Sequence, residues 1–96
     1  MLLTFQERIE KWYPEICSNI YCGANIPAEW EDIVVGALEE LRHYPVSVAQ
    51  IKSKFGGLRL YIDFKDCATS DDIRHAYWAI HEAEDAVAVV EKRRHT

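Results

Sequence analysis

Along residues 30–41 the apolar side chains Trp30, Ile33, Val34, Ala37, Leu38 and Leu41 recur every third or fourth position. That spacing predicts an amphipathic helix, opened by Pro27 at its first turn. Tyr44-Pro45 ends it, because the residue before a proline avoids the α region. Its other face carries Glu29, Glu31, Asp32, Glu39 and Glu40, with no base before Arg42. Upstream, Thr4-Phe-Gln-Glu7 fits a capping box, and Phe5, Ile9 and Trp12 follow at helical spacing. Pro14 opens a second short helical piece with Ile16, Cys17 and Ile20 inward, and Gly23 is its stop.

Residues 46–55 and 58–64 alternate in the period of a strand and flank Gly56-Gly57. Tight primed turns need φ > 0, which glycine adopts without steric conflict, so the pattern predicts a β-hairpin. With Gly56-Gly57 as the loop, Phe55 faces Leu58, Ser53 faces Leu60, Ile51 faces Ile62 and Ala49 faces Phe64. That nearly apolar set is the expected core face. The other face then places Lys54 opposite Arg59, Lys52 opposite Tyr61 and Gln50 opposite Asp63. A loop over 65–70 leads to a last helix, capped by Thr69 or Ser70, with Asp71 and Asp72 at its positive end. Ile73, Tyr77, Ile80, Val87 and Val90 form its expected core stripe, beside Ala76 and Ala83. Lys92, Arg93 and Arg94 sit at its negative end.

The order is helices, hairpin, helix: an α+β domain, ααββα, with N-terminal helices, a two-stranded antiparallel hairpin and a long C-terminal helix. Two strands alone are marginal, so either the helices cover the sheet or a homodimer extends it. The 96 residues make one expected domain, 1–96, of globular composition, 49% hydrophobic and 11% aromatic. Met1-Leu-Leu-Thr-Phe runs straight into charged residues, which is no signal peptide, and no apolar run is long enough for a membrane span. The default expectation is a cytoplasmic protein with no membrane association. The three cysteines, an odd count, suit a reducing compartment better than a disulfide framework. A net charge of −5 disfavours a general nucleic-acid binder and leaves room for a local basic site.

The segment Gln-Ile-Lys-x-Lys-Phe-Gly-Gly-Leu-Arg-x-Tyr, residues 50–61, resembles the hairpin motif of a family of small, largely uncharacterised phage and prophage proteins. Trp12-Tyr-Pro14, Cys22-Gly23 and Trp30 ahead of an amphipathic helix resemble it more loosely, so the likeness covers residues 10–64. Many members end in a cysteine-containing, metal-binding-like segment. This chain departs from them there, running from Cys67 into a helix with no CxxC. The resemblance implies a phage accessory gene product and no particular activity.

Three surfaces are candidates for binding. Lys52, Lys54 and Arg59, with Lys65 at the same parity, form a basic sheet face able to hold an anion, and Tyr61 adds a stacking surface. The alternative is a solvated face whose lysines guard against edge pairing. The acidic helix face, including Glu39 and Glu40, either docks on a basic groove or is an ordinary solvated face. Trp78 and Val89 fall outside the stripe of the last helix and are either an interface or a second buried side. Cys17-x4-Cys22, Cys67 and the four histidines match no metal spacing, and His75 and His81 lie on different helix faces. No GxSxG, HExxH or P-loop occurs, and Cys22 as a nucleophile has no supporting pattern. We therefore expect no enzyme, no cofactor and no metal. The expected function is binding to a host protein or protein complex, modulating or inhibiting it, a CRISPR-type defence complex being one such target. The alternative is a nucleic-acid or nucleotide-binding module on the basic hairpin face.

Overall fold

The computed structural model describes residues 3–18, 20 and 24–94. Helix α1 (Phe5–Trp12) begins with the reciprocal capping box of Thr4 and Glu7. Helix α2 (Pro14–Cys17) follows after a single residue, then strand β1 (Ala24–Asn25) and a 3-10 turn (Ala28–Trp30). Helix α3 (Glu31–Leu41), strands β2 (Val46–Lys54) and β3 (Gly57–Phe64), and helix α4 (Ser70–Arg94) complete the chain. Gly23, the expected stop, and Cys22 lie outside the described residues.

The fold is α+β with a three-stranded mixed sheet in the order β1-β2-β3. The expected two-stranded hairpin therefore gains a strand: β1 runs parallel to β2, with Ala24 beside Ile51 and Asn25 beside Lys52. Nothing in Ala24-Asn25 favours a strand by propensity, and only its position against the edge of β2 makes it one.

The hairpin also closes one residue earlier than expected. Phe55 (φ 54) and Gly56 (φ 75) form the loop, both left-handed as a type I′ turn requires. Lys54 then pairs with Gly57, Ser53 with Leu58, Lys52 with Arg59, Ile51 with Leu60 and Gln50 with Tyr61. Relative to the expected register the strands have slipped by two residues, which preserves the faces and changes every partner. Phe55, expected in the core, is 94% exposed.

A bulge between Val48 and Gln50 solves a second problem. Val46 and Val48 are of opposite parity to Ile51, yet all three belong to one core. The extra residue, Ala49, absorbs the difference, so Val46 pairs with Phe64 and Val48 with Ile62. Ala49 therefore does not face Phe64, and Ser47, not Gln50, lies opposite Asp63.

Helices cover one face of the sheet. Ile9, Ile16 and Cys17 from the N-terminal helices, Val34, Leu38 and Leu41 from α3, and Ala76, Ile80 and Val87 from α4 meet Val48, Ile51 and Leu58 from the sheet. Burying each large aliphatic side chain contributes about 1.5–3 kcal/mol. Three expected core positions are displaced: Trp12 is half-exposed, and Ile73 and Tyr77 are exposed. The stripe of α4 that packs is Ala76, Ala79, Ile80, Ala83 and Val87, because its small side chains admit α3 closely. Tyr77 instead meets Phe64 edge-on, ring centroids 5.5 Å apart.

Trp30 is buried, and its indole N–H donates to the Glu91 carboxylate at 2.9 Å, fastening the start of α3 to the end of α4. Arg8 ties α1 to α3 through Glu31 at 2.6 Å, its guanidinium near the Phe5 and Trp12 rings. Gly36, inside α3, is exposed, and a Cβ there would meet nothing within 4 Å. A helix-interior glycine costs about 1 kcal/mol relative to alanine. Neither tight packing nor backbone conformation calls for it here. No helix among the described residues is long and apolar enough to cross a membrane.

Candidate binding surfaces

The outer face of the hairpin gathers Lys52, Lys54, Arg59 and Tyr61. Lys52 and Arg59 stand directly opposite each other, a like-charge pair that disfavours the hairpin by a few tenths of a kcal/mol. Each lysine is placed over a ring. Lys52 Nζ lies 5.6 Å from the centroid of Tyr61, and Lys54 Nζ lies 5.6 Å from that of Phe55. Arg59 curls back, its Nη1 donating to the Leu58 carbonyl at 3.1 Å. None of these cations pairs with a carboxylate among the described residues. The result is a row of free positive charge interleaved with two aromatic rings, Tyr61 at 43% exposure and Phe55 at the tip.

Phe55 is the residue that the sequence reading missed. A bulky side chain at positive φ is disfavoured on the order of 1 kcal/mol, and this one also leaves its ring in water. The signal was present in Phe-Gly-Gly, which offers two overlapping two-residue loops that keep the same strand faces inward and differ in whether Phe55 joins the core face or the turn.

The acidic face of α3 is not a uniform patch. Glu31 is taken by Arg8, and Glu29 by Arg94 at 3.0 Å. Glu39 accepts from the Tyr13 hydroxyl at 2.7 Å and lies 3.7 Å from Arg42. Burial, then this hydrogen bond and charge, push the Tyr13 hydroxyl up to about 12. Glu39 thus fastens α3 to the residue joining α1 and α2. Asp32 and Glu40 form no ion pair among the described residues and remain available.

Glu40 and Trp78 are brought together. They line one concavity with Tyr44, His75 and Glu82, and Trp78 is 66% exposed with its indole N–H donating to Glu82 at 2.7 Å. This concavity shares Glu40, Ala79 and Glu82 with a neighbouring groove between α3 and α4. Gly36, Ala37 and Ala83 also line that groove, as does Asp32, and it encloses about 250 Å³. The basic hairpin supplies no residue to either. Sequence reading singled out Glu40 and Trp78 separately. It missed Gly36 and Glu82, although a glycine inside an otherwise strong helix pattern is itself a signal.

Cys17 is buried, and desolvation, with the nearby carboxylates of Glu15 and Glu10, pushes its thiol up to about 12. Such a thiol is a poor nucleophile. Cys67 is exposed, and among the described residues no three His, Cys, Asp or Glu side chains gather as a metal site. Comparison with known proteins finds no matching family model, no matching curated protein and no matching solved structure.

Proposed function

We propose that this protein acts by binding and not by catalysis: a phage-type accessory protein that docks on a host protein complex in the host cytoplasm and modulates or inhibits it. Interference with a defence complex of the CRISPR type suits its size and acidity. The observation that carries the reading is Phe55. A fully exposed phenylalanine in a left-handed conformation works against stability, and strained, exposed aromatics are common where a partner is gripped. Flanked by Lys54, Lys52, Arg59 and Tyr61, it forms an apolar knob inside a basic collar, suited to an acidic surface with a central pocket.

A second reading is favoured by the alternation of rings and cations. Phe55 and Tyr61 could each stack a base while the lysines and Arg59 meet phosphates, as in single-strand-binding sheets. The test is a pull-down of the tagged chain from bacterial lysate with and without nuclease, read by mass spectrometry and nucleic-acid staining. A defined protein complex that survives nuclease and is lost with Phe55→Asn and Lys54→Glu is the expected result. Recovery of nucleic acid alone, weakening linearly in the logarithm of salt, selects the second reading. A complex retained at full yield by both variants refutes the hairpin as the binding surface.

A further inference from the structure

We infer that the groove between α3 and α4 is a docking site for a basic amphipathic helix of a partner protein, separate from the hairpin surface. Gly36 carries the argument. It lies inside a helix, exposed, where a side chain would meet nothing within 4 Å, so the fold gains nothing from its lack of one. What it leaves is depth: with Ala37, Ala79 and Ala83 it keeps the seam between the two helices low enough for a third backbone to approach. The acidic residues on α3 and α4 set the occupant. Asp32, Glu40 and Glu82 line the groove, no lysine or arginine does, and the three carboxylates form no ion pair among the described residues. From Ile33 to Glu40 the groove follows α3 for roughly 10 Å, two helical turns. Trp78 stands at one end as an exposed apolar anchor whose N–H is already satisfied by Glu82.

A helix with an alanine- or leucine-rich row flanked by lysines matches this lining on every count. A second copy docking by the same face sets carboxylates against carboxylates, which disfavours a symmetric dimer there. Phe55 and its collar are not involved, so this inference and the hairpin reading fail independently.

The test uses the full chain and a fluorescent synthetic helix, its leucine row flanked by lysines, beside an otherwise identical peptide flanked by glutamates. Fluorescence anisotropy should show binding of the lysine peptide only. Gly36→Leu, whose Cβ meets nothing within 4 Å and whose side chain takes up groove space, should weaken it at least tenfold while leaving the thermal midpoint unchanged or higher. The Glu40→Lys/Glu82→Lys double variant should do the same and decides the matter if Gly36→Leu misfolds. Phe55→Asn should bind the peptide as well as the parent chain. Equal affinity of parent and Gly36→Leu would overturn the inference, because attraction would then be to surface charge and not to the groove. Equal binding of the glutamate peptide, or a dimer in sedimentation that Gly36→Leu dissolves, would overturn it as well.

Discussion

Phe55 sits where an asparagine or glycine would be more comfortable, and that conflict can be measured. Replacing it by asparagine keeps the loop and removes a side chain that dislikes positive φ. Phe55→Asn is expected to stabilise the chain by about 0.5–1 kcal/mol, read as a higher urea midpoint at unchanged slope. The same variant should lose partner recovery. A gain in stability together with a loss of binding is the signature of a residue kept for function, and a drop in midpoint would mean that Phe55 supports the hairpin after all. The two lysines differ in the same way from ordinary surface charge. Each is held over a ring with no carboxylate partner among the described residues, so both remain available to an external anion.

At the scale of elements, the long helix α4 joins the two halves of the molecule. It packs on both β3 and α3, and its last turns reach the start of α3, where Glu91 accepts from the buried Trp30 indole. Removing that acceptor leaves a buried donor without a partner. Glu91→Ala is therefore expected to cost about 1–3 kcal/mol in chemical denaturation, while Glu91→Gln, which keeps an acceptor oxygen, should lose less. If the two variants were equally mild, the carboxylate would be incidental to the docking of α4. The bulge at Ala49 has a comparable role within the sheet. Without it, Val46 and Val48 would point away from the core that Ile51 and Leu60 build.

As a whole, the molecule is a thin slab with principal extents of 44 × 34 × 19 Å, room for one sheet layer and one helix layer. The sheet keeps a basic aromatic face toward solvent, and the helices keep an acidic groove. Its interior holds two acids in their neutral form, and this governs behaviour at high pH. Cys17 is pushed from its ordinary 9.0 to about 12, and Tyr13 from 10.0 to about 12. Both folded values lie above the unfolded ones. The folded chain therefore holds protons that the unfolded chain releases, and stability falls as pH rises through that window. The urea midpoint should stay flat below pH 9.0 and decline steadily toward about 12. Cys17→Val should flatten the first part of the decline. A midpoint unchanged by this substitution at every pH would show that Cys17 titrates alike in both states.

The sequence by itself determined the elements whose signals are local. The stripe of α3 is a property of spacing along one helix, and Val34, Leu38 and Leu41 are buried as that spacing requires. The Thr4–Glu7 box is likewise in place, and Thr69 with Asp72 closes a second one at the start of α4. The sidedness of the hairpin was legible too, since Lys52, Lys54 and Arg59 share the outer face under either register. Tertiary structure alone decided the rest. A two-residue slip leaves the inward pattern unchanged, so alternation could not choose between the loops Phe55-Gly56 and Gly56-Gly57. Ala24-Asn25 became a strand because β2 had an open edge beside it, not because its residues prefer one. The packed side of α4 depended on which small residues could accept α3, and this put Ile73 and Tyr77 outside. Which carboxylates stay free was settled by distant cations and donors, Arg8, Arg94 and Tyr13, whose approach no spacing along the chain records. Local periodicity fixes what each segment can bury, but only the packed neighbours determine which of those options is used.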